Sequence, residues 1–237
     1  PTYRLDLPFR PSPQPPEVIR SGIGPMRLVQ FGYTGPNRRL QNVFEALAPL
    51  VGEVDFHLDV MGKLWDPAYL RQRAEELGIG RHVTFHGFVE EEFLDEKLKA
   101  AHLVFNLRNP TMGEASGSQL RIWDATAASV VTDDGWYHDI SDEAVFHIPK
   151  ENEVAAIKTL LYQIWGNRYI SMSKGEYGRL QLINQHDPDT YVDGIVEIAE
   201  NFSRDAHDAV LASAARRFID GTHPQADLLR TRLSSLF

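Results

Sequence analysis

The sequence predicts an α/β protein built on a doubly wound parallel sheet, and three observations predict it. Six short apolar runs rich in β-formers alternate with amphipathic stretches between residues 27 and 166. Such alternation implies right-handed βαβ crossovers and a parallel sheet covered on both faces. Glycine-bearing loops come after the first and fourth runs, where sheets of this kind bind ligands. Beyond residue 167 the pattern is helical only, so a helical C-terminal part succeeds the sheet. The expected division is a proline-rich linker over 1–25, a Rossmann-like domain over 26–202, and C-terminal helices over 203–237.

The chain has 237 residues, which suits one large domain or two small ones. Hydrophobic residues make up 43% and aromatic residues 10%, enough for a full core. A net charge of −9 argues against a binder of nucleic-acid backbone, although a local basic pocket remains compatible with it. With no cysteine there are neither disulfides nor thiolate metal sites. There is no signal peptide and no apolar run long enough to cross a bilayer, so the expected location is cytoplasmic, with peripheral membrane association open to a longer protein. Pro1 leads without a Met, and the chain is expected to be a fragment.

The first 25 residues carry P-F-R-P-S-P-Q-P-P and close on Gly22, Gly24 and Pro25, a linker or an extension that hugs the surface. The first strand is read over 27–32. The turn after it holds Gly32, Tyr33, Gly35, Arg38 and Arg39, and Leu40, Val43, Phe44, Leu47 and Leu50 then fall at helical spacing. Arginines beside a helix N-terminus oppose its dipole, so their presence points to an anionic ligand. The alternative is that Arg38 is a solvated residue at a helix start. A second strand over 55–61 ends at Gly62; Asp66 and Pro67 then open a helix that Gly78 stops. A third strand runs over 82–88, with His82 and His86 on one face of it. No carboxylate or third histidine is at hand for a metal, so they read as partly buried strand histidines, and no metal site is expected. Glu90, Glu91, Glu92, Asp95 and Glu96 start the next helix in agreement with its dipole and read as a solvated face.

The stretch that carries the chemistry spans 106–135. A buried strand at 102–107 runs into a loop over 110–117, and Ser116 or Ser118 caps a helix through Leu120, Ile122, Trp123 and Ala127. Gly113, Ser116 and Gly117 at a helix start suit an anion, because small residues allow close approach and the N–H groups point outward. Glu114, with Ala115 beside it, would repel a phosphate unless it serves another part of the ligand. A ligand with both a diphosphate and a sugar meets both demands. The remaining elements are a fifth strand from Val130, a sixth over 145–149, a helix through Ile157 and Leu161, and helices near 168–185, 188–202, 204–219 and 224–236.

At these residues the sequence resembles the donor-binding C-terminal half of group-1 retaining glycosyltransferases, which have the two-domain GT-B fold. The family's E-G-F-G loop is matched by E-A-S-G from Glu114 to Gly117. A bacterial subgroup writes P-T-x-G-E-T-S-G-S, then an Arg, then V-S-D-x-G-W. Here the run is P-T-M-G-E-A-S-G-S, then Arg121, then V-T-D-D-G-W, agreement spread over about thirty positions. The resemblance implies transfer of a hexosyl or deoxyhexosyl group from a nucleotide-diphosphosugar without a metal or other cofactor. It implies an acceptor domain N-terminal to this chain, with the isolated domain inactive by itself. It assigns catalytic roles to Glu114 and Arg38, and donor contacts to Gly32, Tyr33, Arg39, Gly113, Ala115, Ser116, Gly117, Ser118 and Arg121. The turn of Gly87, Phe88 and Val89 would lie under the base.

Two departures stand against it. The family's Gly-Arg-x-x-x-x-Lys pattern for the diphosphate becomes Tyr33 for the Arg and Arg38 for the Lys. The second Glu of the loop motif, which contacts the donor ribose, is Ile122. Both keep a second reading open: an inactive nucleotide-binding or regulatory module of the same fold. A dinucleotide-dependent oxidoreductase is disfavoured, since the first turn lacks G-x-G-x-x-G. Within the first reading, Glu114 either grips sugar hydroxyls or ties its own loop to backbone N–H groups.

Overall fold

A computed structural model describes residues 4–17, 20 and 22–219. Six strands, β1 (Met26–Phe31), β2 (Phe56–Met61), β3 (Val83–Gly87), β4 (Leu103–Phe105), β5 (Ser129–Thr132) and β6 (Phe146–Ile148), form one sheet. Every pairing is parallel, and the order is β3-β2-β1-β4-β5-β6. The strands step outward in one direction from β1 to β3 and in the other from β4 to β6. The order therefore reverses between β1 and β4, which opens a crevice beyond their C-terminal ends.

The helices are α1 (Leu40–Leu47), α2 (Pro67–Glu76), α3 (Glu91–Ala100), α4 (Gly117–Asp124), α5 (Glu153–Gly166), α6 (Tyr169–Gln185) and α7 (Pro188–Ile219). The central strands are buried on both faces, as the near-continuous apolar runs of a parallel sheet require. On one face Leu28, Leu58 and Val130 pack with Val43, Phe44, Leu70, Ile157 and Leu161 from α1, α2 and α5. On the other, Val29, Phe31 and Val104 pack with Leu94, Leu98 and Ile122 from α3 and α4. A third cluster joins Leu120 and Trp123 of α4 to Val131, Tyr137 and Leu182.

The α-helix predicted through Leu50 ends at Leu47 and gives way to a short 3₁₀ turn over Ala48–Leu50. Pro49 lacks the N–H that the ladder needs. The two helices expected at 188–202 and 204–219 are one helix, α7, and the boundary placed after residue 202 falls inside it. No Pro or Gly stands between 195 and 219, so nothing in the sequence stops the helix there. The helix expected at 224–236 lies outside the described residues. By its contacts the chain forms two units, one of Asp6–Asp187 and one of Pro1–Leu5 with Pro188–Phe237.

In the first unit the proline-rich segment runs along α4 and α6. The Phe9 amide donates to the His186 carbonyl (2.9 Å), Ser12 Oγ to Asp124 (2.7 Å), and Arg179 to the Ser12 carbonyl (2.7 Å). Gly175 and Gly178 give α6 its close approach to Thr126 and Trp123. These contacts fix the base of α4, whose other end opens on the crevice.

Candidate functional site

The turn after β1 and the loop after β4 line the crevice. Leaving β1, the chain passes Gly32, at φ +91, with the Gly62 backbone so close that a side-chain carbon on Gly62 would collide with the Gly32 carbonyl. Pro36–Arg38 make a single 3₁₀ turn, and Arg39, at φ +56, caps α1. That left-handed residue separates the two neighbouring guanidiniums. Arg39 turns to Glu153 at the start of α5 (Nε–Oε2 2.8 Å), which Asn42 also meets at 2.6 Å. Arg38 turns inward instead and is 5% exposed. It donates to the Phe31 carbonyl (2.9 Å) and to Asn106 Oδ1 (3.1 Å). Its Nε is buried and has no partner among the described residues.

Asn106, just past β4, links the two sides of the crevice. Its amide group donates to Gln119 Oε1 (3.0 Å) and towards Ser116 Oγ (3.4 Å). Gln119 in turn donates to Ser129 (2.7 Å). Ser116 is the N-cap of α4, its Oγ accepting from the Gln119 amide at 3.2 Å, so of the two serines proposed as caps Ser116 takes the role. Gly117 and Ser118 open the helix, and their N–H groups have no partner within it by helix geometry. A buried chain of hydrogen bonds thus runs from the Arg38 cation to an anion-favouring helix start.

The loop between Asn106 and Ser116 lies over this chain. Asn109 reaches across to the first turn, its amide donating to the Asn37 carbonyl (2.9 Å). The Arg108 amide is held by Thr132 Oγ1 (3.0 Å), and its guanidinium pairs with Glu114. The second Glu114 oxygen accepts from the Met112 amide (3.0 Å), and the Gly113 amide donates to Thr111 Oγ1 (3.1 Å). Gly135 lies beneath this loop, where a side-chain carbon would sit 3.0 Å from Thr111. Hydrogen bonds from its own amide first, then the Arg108 charge and the Met112 amide, hold the Glu114 carboxyl below its usual range. Burial first, then repulsion from Arg108, pushes the Arg38 guanidinium down to about 10. Both groups therefore stay ionised near neutrality, and among the described residues no carboxylate is bonded to Arg38.

Of the residues assigned from sequence, Gly32, Arg38, Gly113, Glu114, Ala115, Ser116, Gly117 and Ser118 belong to these two loops and the helix start. Tyr33 also lies there, 62% exposed and carrying no charge. Gly87 ends β3 and Phe88 and Val89 follow it, two strands from the switch, with Phe88 86% exposed. Arg39 and Arg121 are committed elsewhere. Arg121 pairs with Asp95 (2.8 Å) and Glu91 (3.4 Å) on α3, so the acidic face read as merely solvated holds an arginine. Ile122 is fully buried against Val29, Phe31 and Val104, and its position faces the core. Arg108 was not singled out from sequence. A cation directly after a strand that leads into the binding loop was the signal available.

The reading that no carboxylate or third histidine is at hand for His82 and His86 is corrected by the pairing of β3 with β2. His86 meets Asp59 at 2.6 Å, and His57 meets Thr84 at 2.9 Å. Lys97 already neutralises Asp59 with two bonds of 2.9 and 3.0 Å. Among the described residues no group of three or more His, Cys, Asp or Glu could hold a metal ion, and no helix is long and apolar enough to cross a membrane. Two further hollows lie away from the switch. One of ≈ 630 Å³ is lined by Pro11, Pro13 and Ile183, and one of ≈ 540 Å³ by Phe146, Leu160 and Lys174. Neither gathers an unpaired buried cation and a helix start.

The fold is the Rossmann-like α/β fold found in GT-B glycosyltransferases of known structure. The chain is similar to WaaG, a glycosyltransferase involved in lipopolysaccharide biosynthesis, with 23% identity and a TM-score of 0.57 over 68% of this chain and 43% of that one. It is similar to the C-terminal domain of LpcC, a group 1 glycosyltransferase from Francisella tularensis, at 16% identity and TM-score 0.58, over 70% of this chain and 89% of that domain. It is also similar to Anabaena HepE, solved with UDP and glucose, at 15% identity and TM-score 0.60, over 76% of this chain and 48% of that one. The chain thus spans under half the length of WaaG and HepE. No family model matches the sequence, and no curated protein matches it.

Proposed function

We propose that the chain is the donor-binding domain of a retaining glycosyltransferase. It would hold a nucleotide-diphosphosugar for transfer to an acceptor bound by a domain outside this sequence. The observation that carries the reading is the hydrogen-bonded chain from Arg38 through Asn106 to the Ser116 cap. It brings a buried cation, unpaired with any carboxylate among the described residues, up to a helix N-terminus and a carboxylate at the switch of the sheet. In the reaction, Arg38 and the first amides of α4 stabilise charge that develops on the departing diphosphate. Glu114 orients the sugar at its anomeric carbon through the hydroxyls. These groups supply the charge stabilisation themselves, so the reading expects no metal or other cofactor. UDP is the first probe to use, because a structural neighbour was solved with it.

Calorimetric titration with nucleosides, nucleoside diphosphates, their sugars and NAD tests the proposal. One nucleoside diphosphate and its sugar should bind, with the bare nucleoside about tenfold weaker or worse. NAD binding alone would replace this reading by that of an oxidoreductase. A second reading, a nucleotide-binding module without turnover, is favoured by one observation: buried Ile122 offers no ribose contact where the resembled family has a Glu. Transfer by the longer protein, assayed with the sugar that this domain binds, separates the two.

A further inference from the structure

The donor-site reading leaves the pair of Arg108 and Glu114 unexplained. A diphosphate carries more negative charge than Arg38 alone offsets, and the other expected cations are elsewhere. Arg39 is on Glu153 and Arg121 on Asp95, while Tyr33 brings no charge. Arg108 stands in the right loop. Its amide is pinned to Thr132, its Nε is buried without a partner among the described residues, and its guanidinium is near enough to Arg38 for the two charges to repel. Arg38 and Arg108 thus bring two guanidiniums to the crevice against the one Glu114 carboxylate, which only Arg108 holds. The side chains of the pair are 21% and 41% exposed. An ion pair so open to water is weak, whereas a forked guanidinium contact to phosphate is strong and geometrically specific.

We propose that Arg108 is the second diphosphate-binding cation of this site, and that its ion pair with Glu114 is the resting half of an exchange. In the exchange the diphosphate takes Arg108, and Glu114 turns from Arg108 to the sugar hydroxyls. One residue pair then serves both ends of the donor, and the carboxylate that would repel a phosphate is neutralised until a sugar arrives with it. The proposal deepens the donor-site reading and rests on it. It also joins the two roles weighed for Glu114: it ties down its own loop when the site is empty and grips sugar when the site is full.

The test is titration of the full 237-residue chain with UDP, inorganic pyrophosphate and uridine, with thermal melts as a control on folding. Arg108→Ala should weaken UDP and pyrophosphate about ten- to a hundred-fold and leave uridine unchanged. Arg108→Lys keeps the charge without the fork and should lose less than Arg108→Ala; it carries the test if the alanine variant does not fold. Glu114→Gln should tighten pyrophosphate, since no ion pair must open first. In the Glu114→Gln background, Arg108→Ala should then cost more than it does in the parent. If the parent binds UDP and Arg108→Ala binds it equally well, Arg108 is only a brace and the exchange is wrong, while the donor-site reading stands. Equal losses for UDP and uridine would also overturn the exchange, because they report a disordered loop. A parent that binds no uridine, adenosine or guanosine diphosphate overturns both proposals together.

Discussion

The turn after β1 and the loop after β4 flank the same crevice and each leads to a helix start, yet they hold their charges differently. The first is braced from all sides. The Thr34 amide donates to the Lys63 carbonyl (2.9 Å), the Trp65 amide to the Thr34 carbonyl (3.2 Å), and Gly62 presses on Gly32. Arg38 is locked beneath it by a backbone carbonyl and Asn106. The second is held chiefly by its own side chains, Thr111 and Glu114 each accepting a loop amide, and Met112 to Ala115 are exposed. One side therefore offers a fixed cation and the other a charge pair that can change partners. Preorganised charge stabilises a developing anion without rearrangement, and an exchangeable pair lets the site close on its ligand.

That contrast can be broken first at its rigid side. Gly62 has φ +113, and a side-chain carbon there would overlap the Gly32 carbonyl. Gly62→Ala should lower stability by about 2–4 kcal/mol, by adding backbone strain to a steric clash. Chemical denaturation measures the loss; an unchanged midpoint would mean that the first turn is not braced as described. A smaller effect is expected from Arg38→Ala. It leaves the Phe31 carbonyl and Asn106 Oδ1 unpaired, which costs about 1–3 kcal/mol, but it also removes a buried charge without a carboxylate partner. Its binding loss should be about ten- to a hundred-fold for UDP and nil for uridine. Equal UDP binding would make Arg38 a structural residue alone. The smallest effect sharpens the exchangeable side. Glu114→Gln should weaken the nucleotide sugar by several-fold, about 1 kcal/mol, while UDP itself holds or improves. Losses of equal size for both ligands would confine Glu114 to holding its loop.

How much of this was legible in the sequence depends on the range of the interaction. The sheet was readable because parallel strands buried on both faces leave short apolar runs, even for a three-residue strand such as β4. The cap at Ser116 and the anion-favouring loop were readable because both are local chemistry. The fates of Arg38 and Arg39 were not. They are adjacent in the chain, and the left-handed conformation of Arg39 sends one inward and the other to Glu153, 114 positions away. Arg121 belongs with them: its partners on α3 stand 26 and 30 positions away. The histidine cluster was missed for the same reason, since Asp59 reaches His86 only once β2 and β3 pair. Ile122 was read among the inward positions of its helix, and there the periodicity agreed with the packing while the family resemblance asked for a carboxylate.

The central claim is that a nucleoside diphosphate binds at the reversal between β1 and β4. Backbone amide NMR of the chain during titration with UDP tests it most directly. The account predicts the largest shifts at Gly32, Arg38, Arg108 and Gly113 to Ser118, with little change around Phe146 and Lys174. Shifts centred on the hollow at Phe146 and Lys174, or on the proline-lined hollow beside α6, would contradict it.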